Sequence, residues 1–231
     1  SNGEFGASVL TLGTAGTAAQ KSYFSFDEGM VALGTGIAST SDAAVHTTIN
    51  QAAAKPNASV GGRPVAGGTD QQGVGSATGA YNDEVGYVFA AGQDVKVSNK
   101  TQSGSWEGEE AISRDAFSLY VDHGAKPAAG TYDYTVLPAA TPAEVEAYAA
   151  KPTIRTLRND TAVQAVRSSD AGITMATFFA PGSLDLGDGR TLTVDQPSIV
   201  LLDERGETPV VSVSNPDRAG LSVGVTLAGG G

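Results

Sequence analysis

Three stretches of this chain carry side chains that could bind a ligand or do chemistry. The first is residues 96–114, where Lys96, Asn99, Lys100, Trp106 and Arg114 stand among Asn, Gln, Ser and Gly. An indole face stacks on the C–H face of a sugar, while amide and cationic donors meet hydroxyls or carboxylates. Asn99, Lys100, Trp106 and Arg114 are therefore the candidate substrate-binding residues. The plainer reading of Trp106, the one tryptophan, is a ring that plugs the end of a core, because tryptophan is mostly buried. The second stretch is Asp122-His123, a pairing open to acid–base chemistry or metal ligation. A strand end whose imidazole bonds a turn accounts for it more simply. His46, the other histidine, sits within a strand and reads as a cross-strand surface or interface residue. The third is acidic: Glu109-Glu110 and Asp185-x-x-Asp188 supply oxygen ligands of the kind calcium takes. Asp188-Gly189 is equally a common hairpin turn.

The remaining search narrows the function. No nucleophile elbow, zinc-protease helix, phosphate loop or dinucleotide fingerprint occurs. Cysteine is absent, so disulfides and thiolate metal sites are excluded. No catalytic set, metal or cofactor is expected in this chain. The formal net charge of −11 disfavours nucleic acid and anionic membranes as partners. It also argues against a polyanion groove in this chain alone, unless the 14 basic residues cluster locally. No apolar run approaches the ~18 residues needed to span a bilayer. The opening Ser1-Asn-Gly-Glu-Phe5 has neither the basic nor the apolar part of a signal peptide. A start so close to a strand is what a fragment or processed product would show.

The elements that must position these residues read as strands. Ala7–Leu12 comes first. Lys21–Ile37 is a hairpin, with Tyr23, Phe24 and Phe26 on the outgoing strand, Asp27-Glu28-Gly29 as the turn, and Gly34 and Gly36 allowing a bend in the return. Val45, Thr47 and Ile49 alternate with His46, Thr48 and Asn50. Residues 52–80 are rich in Gly, Ala, Pro and Gln and read mostly as loop. Strands follow at 84–89, 94–98, 116–122 and 131–137, with 99–114 as a polar connection. Thr141-Pro-Ala-Glu144 is a capping box with proline at the first helical position, so a helix runs to Ala150 and ends before Pro152. Seven short strands between 154 and 227, separated by turn signals, complete an all-β pattern of sandwich type.

Several of these segments together resemble one enzyme family: Lys21–Ile37, Val45–Asn50, Val85–Phe89, Ser103–Trp106, Leu119–Gly124 with Lys126-Pro127, Tyr132–Pro138, and Ala162–Arg167 further on. In order and spacing they are similar to the polysaccharide lyases that include hyaluronate lyase, chondroitin AC lyase and xanthan lyase. The resemblance covers nearly the whole chain, departs most at 52–80, and implies an all-β fold. Residues 1–140 would be the second half of a central β-sandwich, part of a large supersandwich. Residues 141–152 would be a linking helix and 153–231 a smaller C-terminal β-sandwich. In that family an N-terminal α/α-toroid holds the Asn, His, Tyr and Arg of a β-elimination at a uronic acid. None of them has a counterpart here, so the resemblance implies a non-catalytic part of a secreted enzyme. Its partners would be an acidic polysaccharide and the toroid, whether in one polypeptide or as the other half of a nicked enzyme. The competing expectation is a stand-alone carbohydrate-binding or structural β module.

Overall fold

A computed structural model describes all residues except Ala15, Trp106, Glu107, Glu109, 216–221, 230 and 231. In chain order the strands are β1 (Gly6–Thr14), β2 (Thr17–Phe26), β3 (Gly29–Ser39), β4 (Ala44–Ala53), β5 (Ser59–Val60), β6 (Arg63–Pro64), β7 (Thr69–Gly73), β8 (Gly79–Asn82), β9 (Val85–Phe89), β10 (Val95–Gly104), β11 (Ile112–Ala125) and β12 (Gly130–Pro138). The helix α1 (Pro142–Ala150) comes next. It is followed by β13 (Ile154–Asn159), β14 (Val163–Ser168), β15 (Ile173–Phe178), β16 (Gly182–Asp185), β17 (Thr191–Val194), β18 (Ser198–Asp203), β19 (Val210–Ser214) and β20 (Val225–Ala228). The strand pairs whose register is described are antiparallel. The chain is all-β with one short helix, as expected.

Packing divides the molecule into two compact units that do not follow chain order. The first comprises residues 1–38, 128–133 and 152–231. Within it, β1 to β3 form one layer, the sheet β13-β14-β15-β18-β19 a second, and β16-β17-β20 a third. The middle sheet is buried on both faces. Ile173, Met175, Val166 and Leu201 meet Phe24, Phe26, Val31 and Leu33 of the first layer. The alternate residues Ala176, Phe178, Val200 and Leu202 meet Leu184, Leu192 and Val194 of the third. This is why β15 reads as an unbroken buried run and not as a half-polar strand. The expected hairpin at 21–37 is present, with its turn at Asp27 and Glu28, and Gly29 already opening β3. Gly34 is needed for a steric reason. A Cβ there would lie 2.0 Å from the buried ring of Tyr132, which rests against this point of β3.

Asp185 ends β16, and Asp188 lies in the turn that leads to β17. Asp185 accepts from the Gly187 amide at 2.8 Å. Asp188 is held by two guanidinium groups, Arg167 at 2.8 Å and Arg190 at 2.6 Å, and Glu204 closes the ring by pairing with both arginines. Its oxygens are taken by these partners in a structural network. The Arg190 hydrogen bonds, and then Arg167, hold the Asp188 carboxyl well below the usual range. Hydrogen bonds from Arg205 lower Asp203 to about 2.

The second unit comprises residues 39–127 and 134–151. One sheet runs from the end of β12 through β9, β8 and β5 to β6, and the other is β4-β11-β10-β7. Burial of the second is one-sided: Val95, Val97, Phe117, Leu119 and Val121 are buried. Residues 52–80, read from sequence as loop, contain β5, β6 and β7. These short strands form by backbone pairing, β5 with β6 and β8, and β7 with β10. Helix α1 has the expected capping box: the Glu144 carboxylate accepts from the Thr141 amide at 2.7 Å, and Thr141 Oγ1 accepts from the Glu144 amide at 3.3 Å. The helix packs Val145 against Tyr81, Val88 and Leu137. A Cβ at Gly86 would lie 2.3 Å from the Val145 side chain, so this glycine lets the helix seat.

Two outcomes follow. Gly34→Ala should destabilise the protein by roughly 3 kcal/mol, because the Tyr132 ring has no room to retreat, whereas Gly13→Ala, in open space, should stay within about 0.5 kcal/mol in a urea melt. The second concerns acid. A carboxylate whose folded pKa is depressed contributes stability that is complete above its unfolded value and is lost as pH falls towards the folded one. Stability should therefore decline between pH 4 and about 2, from Asp203 and with a further loss below from Asp188. The double substitution Asp188→Asn with Asp203→Asn should flatten that limb of the Tm–pH curve.

Candidate carbohydrate-contact face

The stretch 99–114, expected as a polar connection, is mostly strand. The β10–β11 ladder continues from Val95 opposite Val121 to Gly104 opposite Ile112. Side-chain pairs carry it past the apolar part. Thr101 Oγ1 donates to Asp115 at 2.6 Å, the Ser103 and Ser113 hydroxyls are 2.6 Å apart, and the Gln102 amide donates to Ser118 Oγ at 3.2 Å. Such cross-strand pairs stabilise a ladder where no core is available.

Alternation along the pleat then sorts the candidates. Asn99 shares the inner face with Val95 and Val97 and is buried. Its amide donates to the Val65 carbonyl at 2.9 Å, and its own carbonyl accepts from the Gly68 amide at 2.7 Å. It therefore pins the 65–68 turn. Lys100 is on the outer face, with its Nζ 2.6 Å from Asp70. Arg114, opposite Gln102, is exposed on the same outer face. Trp106 lies outside the described residues. The structure thus brings Lys100 and Arg114 onto one surface and directs Asn99 away from it.

Other residues share that surface. His46 and Tyr120 stack, their ring centroids 4.5 Å apart and tilted by 34°. His46 Nε2 is 3.5 Å from Asp122, and Lys96 Nζ is 2.6 Å from Asp94. The Gln51 amide donates to Gln102 at 2.9 Å. His46, Tyr120, Gln51, Gln102, Lys100 and Asp70 line a shallow depression of about 220 Å³. Burial, and next the Asp122 carboxylate, raises the Tyr120 phenol, which stays protonated and able to donate at neutral pH. The arrangement offers a ring face, oriented amides and ion pairs. It offers no acid–base dyad at 122–123. Asp122 and His123 point to opposite faces, Asp122 accepting from the Gly124 amide at 2.9 Å and His123 Nε2 lying 2.9 Å from Thr47 Oγ1.

Sequence reading placed His46 on a strand surface and Tyr120 in a strand, but did not join them. It missed Gln51 for a definite reason. The β4–β11 register shifts so that Thr48 faces Tyr120 while Asn50 faces Leu119. This bulge breaks the alternation after Thr48, moves Asn50 off the polar face and puts Gln51, opposite Ser118, onto it.

Comparison with known proteins decides the family. Residues 1–149 match the model of polysaccharide lyase family 8, super-sandwich domain, and residues 155–223 match that family's C-terminal beta-sandwich domain. The chain belongs to polysaccharide lyase family 8. Among curated family 8 relatives, a chondroitinase-AC of Pedobacter heparinus is 30% identical over 94% of this chain. A hyaluronate lyase of Thermasporomyces composti is 34% identical over 90%, and a xanthan lyase of Bacillus sp. 30% over 94%. The chain spans 32%, 28% and 26% of their respective lengths. Among solved structures, a chondroitinase AC lyase superposes with a TM-score of 0.84 at 26% identity, over 97% of this chain and 36% of that one. A Paenibacillus xanthan lyase gives 0.82 at 30%, over 93% and 22%.

The geometry separates the roles of two adjacent family 8 residues. Asn99→Ala should lower stability by roughly 1–3 kcal/mol, the cost of emptying a buried amide site and leaving the half-buried Val65 carbonyl without its donor. Lys100→Ala, at an exposed ion pair, should change it by less than about 1 kcal/mol. Parallel urea titrations measure both.

Proposed function

We propose that this chain is the non-catalytic β portion of a secreted family 8 lyase that cleaves a uronic-acid-containing polysaccharide by β-elimination. Hyaluronan, chondroitin and xanthan are the candidate substrates, since relatives bear those names. The chain supports an α/α-toroid that carries the catalytic residues, and it walls one side of the substrate cleft. The observation that carries this reading is the pair of family-model matches, which fill the chain with two β domains while it spans about a third or less of its relatives. The outer face adds amides, a stacked ring pair and cations of the kind that meet a sugar chain. Secretion follows from the substrate: a polysaccharide must be cut before it can enter a cell. Among the described residues no helix is long and apolar enough to cross a membrane.

Lys100, Trp106 and Arg114 contact substrate in this reading, and Asn99 supports them by holding the neighbouring turn. In the full-length protein Trp106→Ala and Arg114→Ala should each raise KM about tenfold, equivalent to roughly 1.4 kcal/mol of binding, with kcat little changed. The rate of unsaturated-uronate formation measures this. Unchanged KM in both variants, with folding intact, removes the contact role. No unsaturated product from any of the three polysaccharides removes the lyase reading itself.

A further inference from the structure

We propose that the outer face of the β4-β11-β10-β7 sheet binds the uncharged, hydroxyl-rich stretches of a polysaccharide chain through Tyr120, His46, Gln51 and Gln102. The choice of polysaccharide rests on the family 8 reading; the choice of face does not.

Its composition is the first argument. From Lys96 to Gln102 on β10, Arg114 to Asp122 on β11 and His46 to Gln51 on β4, the outward positions are polar, charged or aromatic, Ala116 apart. Ile112, exposed where β11 begins, lies on the same face just beyond that row. A sheet face that packs against protein looks different here: both faces of the β13–β19 sheet carry Ile, Val, Leu, Met or Phe. From Arg114 to Asp122 the row is about 27 Å long at the usual rise per strand residue, which suits an extended polymer.

The second argument is preorganisation. The Gln51 amide is fixed on Gln102, and the Gln102 amide on Ser118. Each glutamine keeps a second N–H for a ligand, and Gln51 Oε1 remains an acceptor. These groups bind hydroxyls without first losing side-chain freedom. Beside them the stacked Tyr120 and His46 rings form a flat step for the C–H face of a pyranose.

The third argument is charge. Lys96, Lys100 and His46 face Asp94, Asp70 and Asp122 in turn. A uronate could meet Arg114 at one end of the row, but at Lys96, Lys100 and His46 it would have to displace a carboxylate already in place, on a chain of net charge −11. Hydroxyls need no such exchange. They can bridge between partnered charges and amides, so binding should depend weakly on salt.

The test is calorimetric titration of the chain with native and carboxyl-reduced hyaluronan, chondroitin and xanthan. At least one carboxyl-reduced polymer should bind no weaker than its native form, with Kd changing less than about threefold between low and high salt. Tyr120→Ala and Gln102→Ala should each weaken it about tenfold, while Tyr120→Phe, which keeps the ring, should stay within about threefold. If Tyr120→Ala does not fold, Gln102→Ala and His46→Ala carry the comparison. Binding of none of the six polymers overturns the proposal. So does binding of native polymers alone with steep salt dependence, or wild-type binding by the variants. Lyase activity of the full-length protein is scored separately. Activity without binding by this face overturns the face alone, and binding without activity overturns the lyase reading alone.

Discussion

The side-chain amide of Gln164, completely buried, accepts from Ser22 at 2.6 Å and donates to Asn159 at 3.0 Å. Asn159 in turn donates to the Tyr132 carbonyl at 2.9 Å and to the Gly34 carbonyl at 3.3 Å. These bonds sit beside the apolar contact between the β1–β3 layer and the β13–β19 sheet. Apolar side chains alone would tolerate a shift of one layer over the other. A buried amide does not, because a displaced layer leaves donors and acceptors without partners at about 1–3 kcal/mol each. The network therefore fixes the register between segments more than a hundred residues apart. It also explains why the first packing unit joins residues 1–38 to 152–231. The family-model boundary between 149 and 155 separates sequence domains, yet the C-terminal sheet uses the hairpin strands as part of its own core.

Much of this was legible in sequence where local chemistry decides structure. The capping box at Thr141–Glu144 needs nothing beyond four residues. The hairpin at 21–37 declared itself through its aromatic strand and Asp-Glu-Gly turn. What sequence alone did not show depends on distant partners. β7 is polar and becomes a strand through pairing with β10. Residues 99–104 extend a strand through hydroxyl and amide pairs across to β11. Gly34, read as a place to bend, is required by a ring that arrives from residue 132. The candidate face suffered in the same way. The stretch 99–114 held the correct strand edge, but pleat alternation divides Asn99 from Lys100, and a bulge in β4 brings in Gln51.

Several of the charges among the described residues pair locally. Arg167, Arg190, Asp188 and Glu204 form a closed ring, and Arg205 is shared between Asp203 and Glu4. On the outer face of the second unit the lysines are likewise partnered. Catalysis of β-elimination needs a group to neutralise a carboxylate and others to take and give a proton. Among the described residues of that face, Lys96, Lys100 and His46 meet carboxylates, and Gln51 and Gln102 bond neighbouring side chains.

We propose that this chain contributes architecture and sugar contact, but not chemistry, to a family 8 lyase. The most direct measurement is the formation of unsaturated uronate from hyaluronan, chondroitin and xanthan by the purified 231-residue chain, alone and then in a polypeptide that includes the toroid. The account predicts no product from the chain alone and steady product once the toroid is present. Turnover by the chain alone would contradict it.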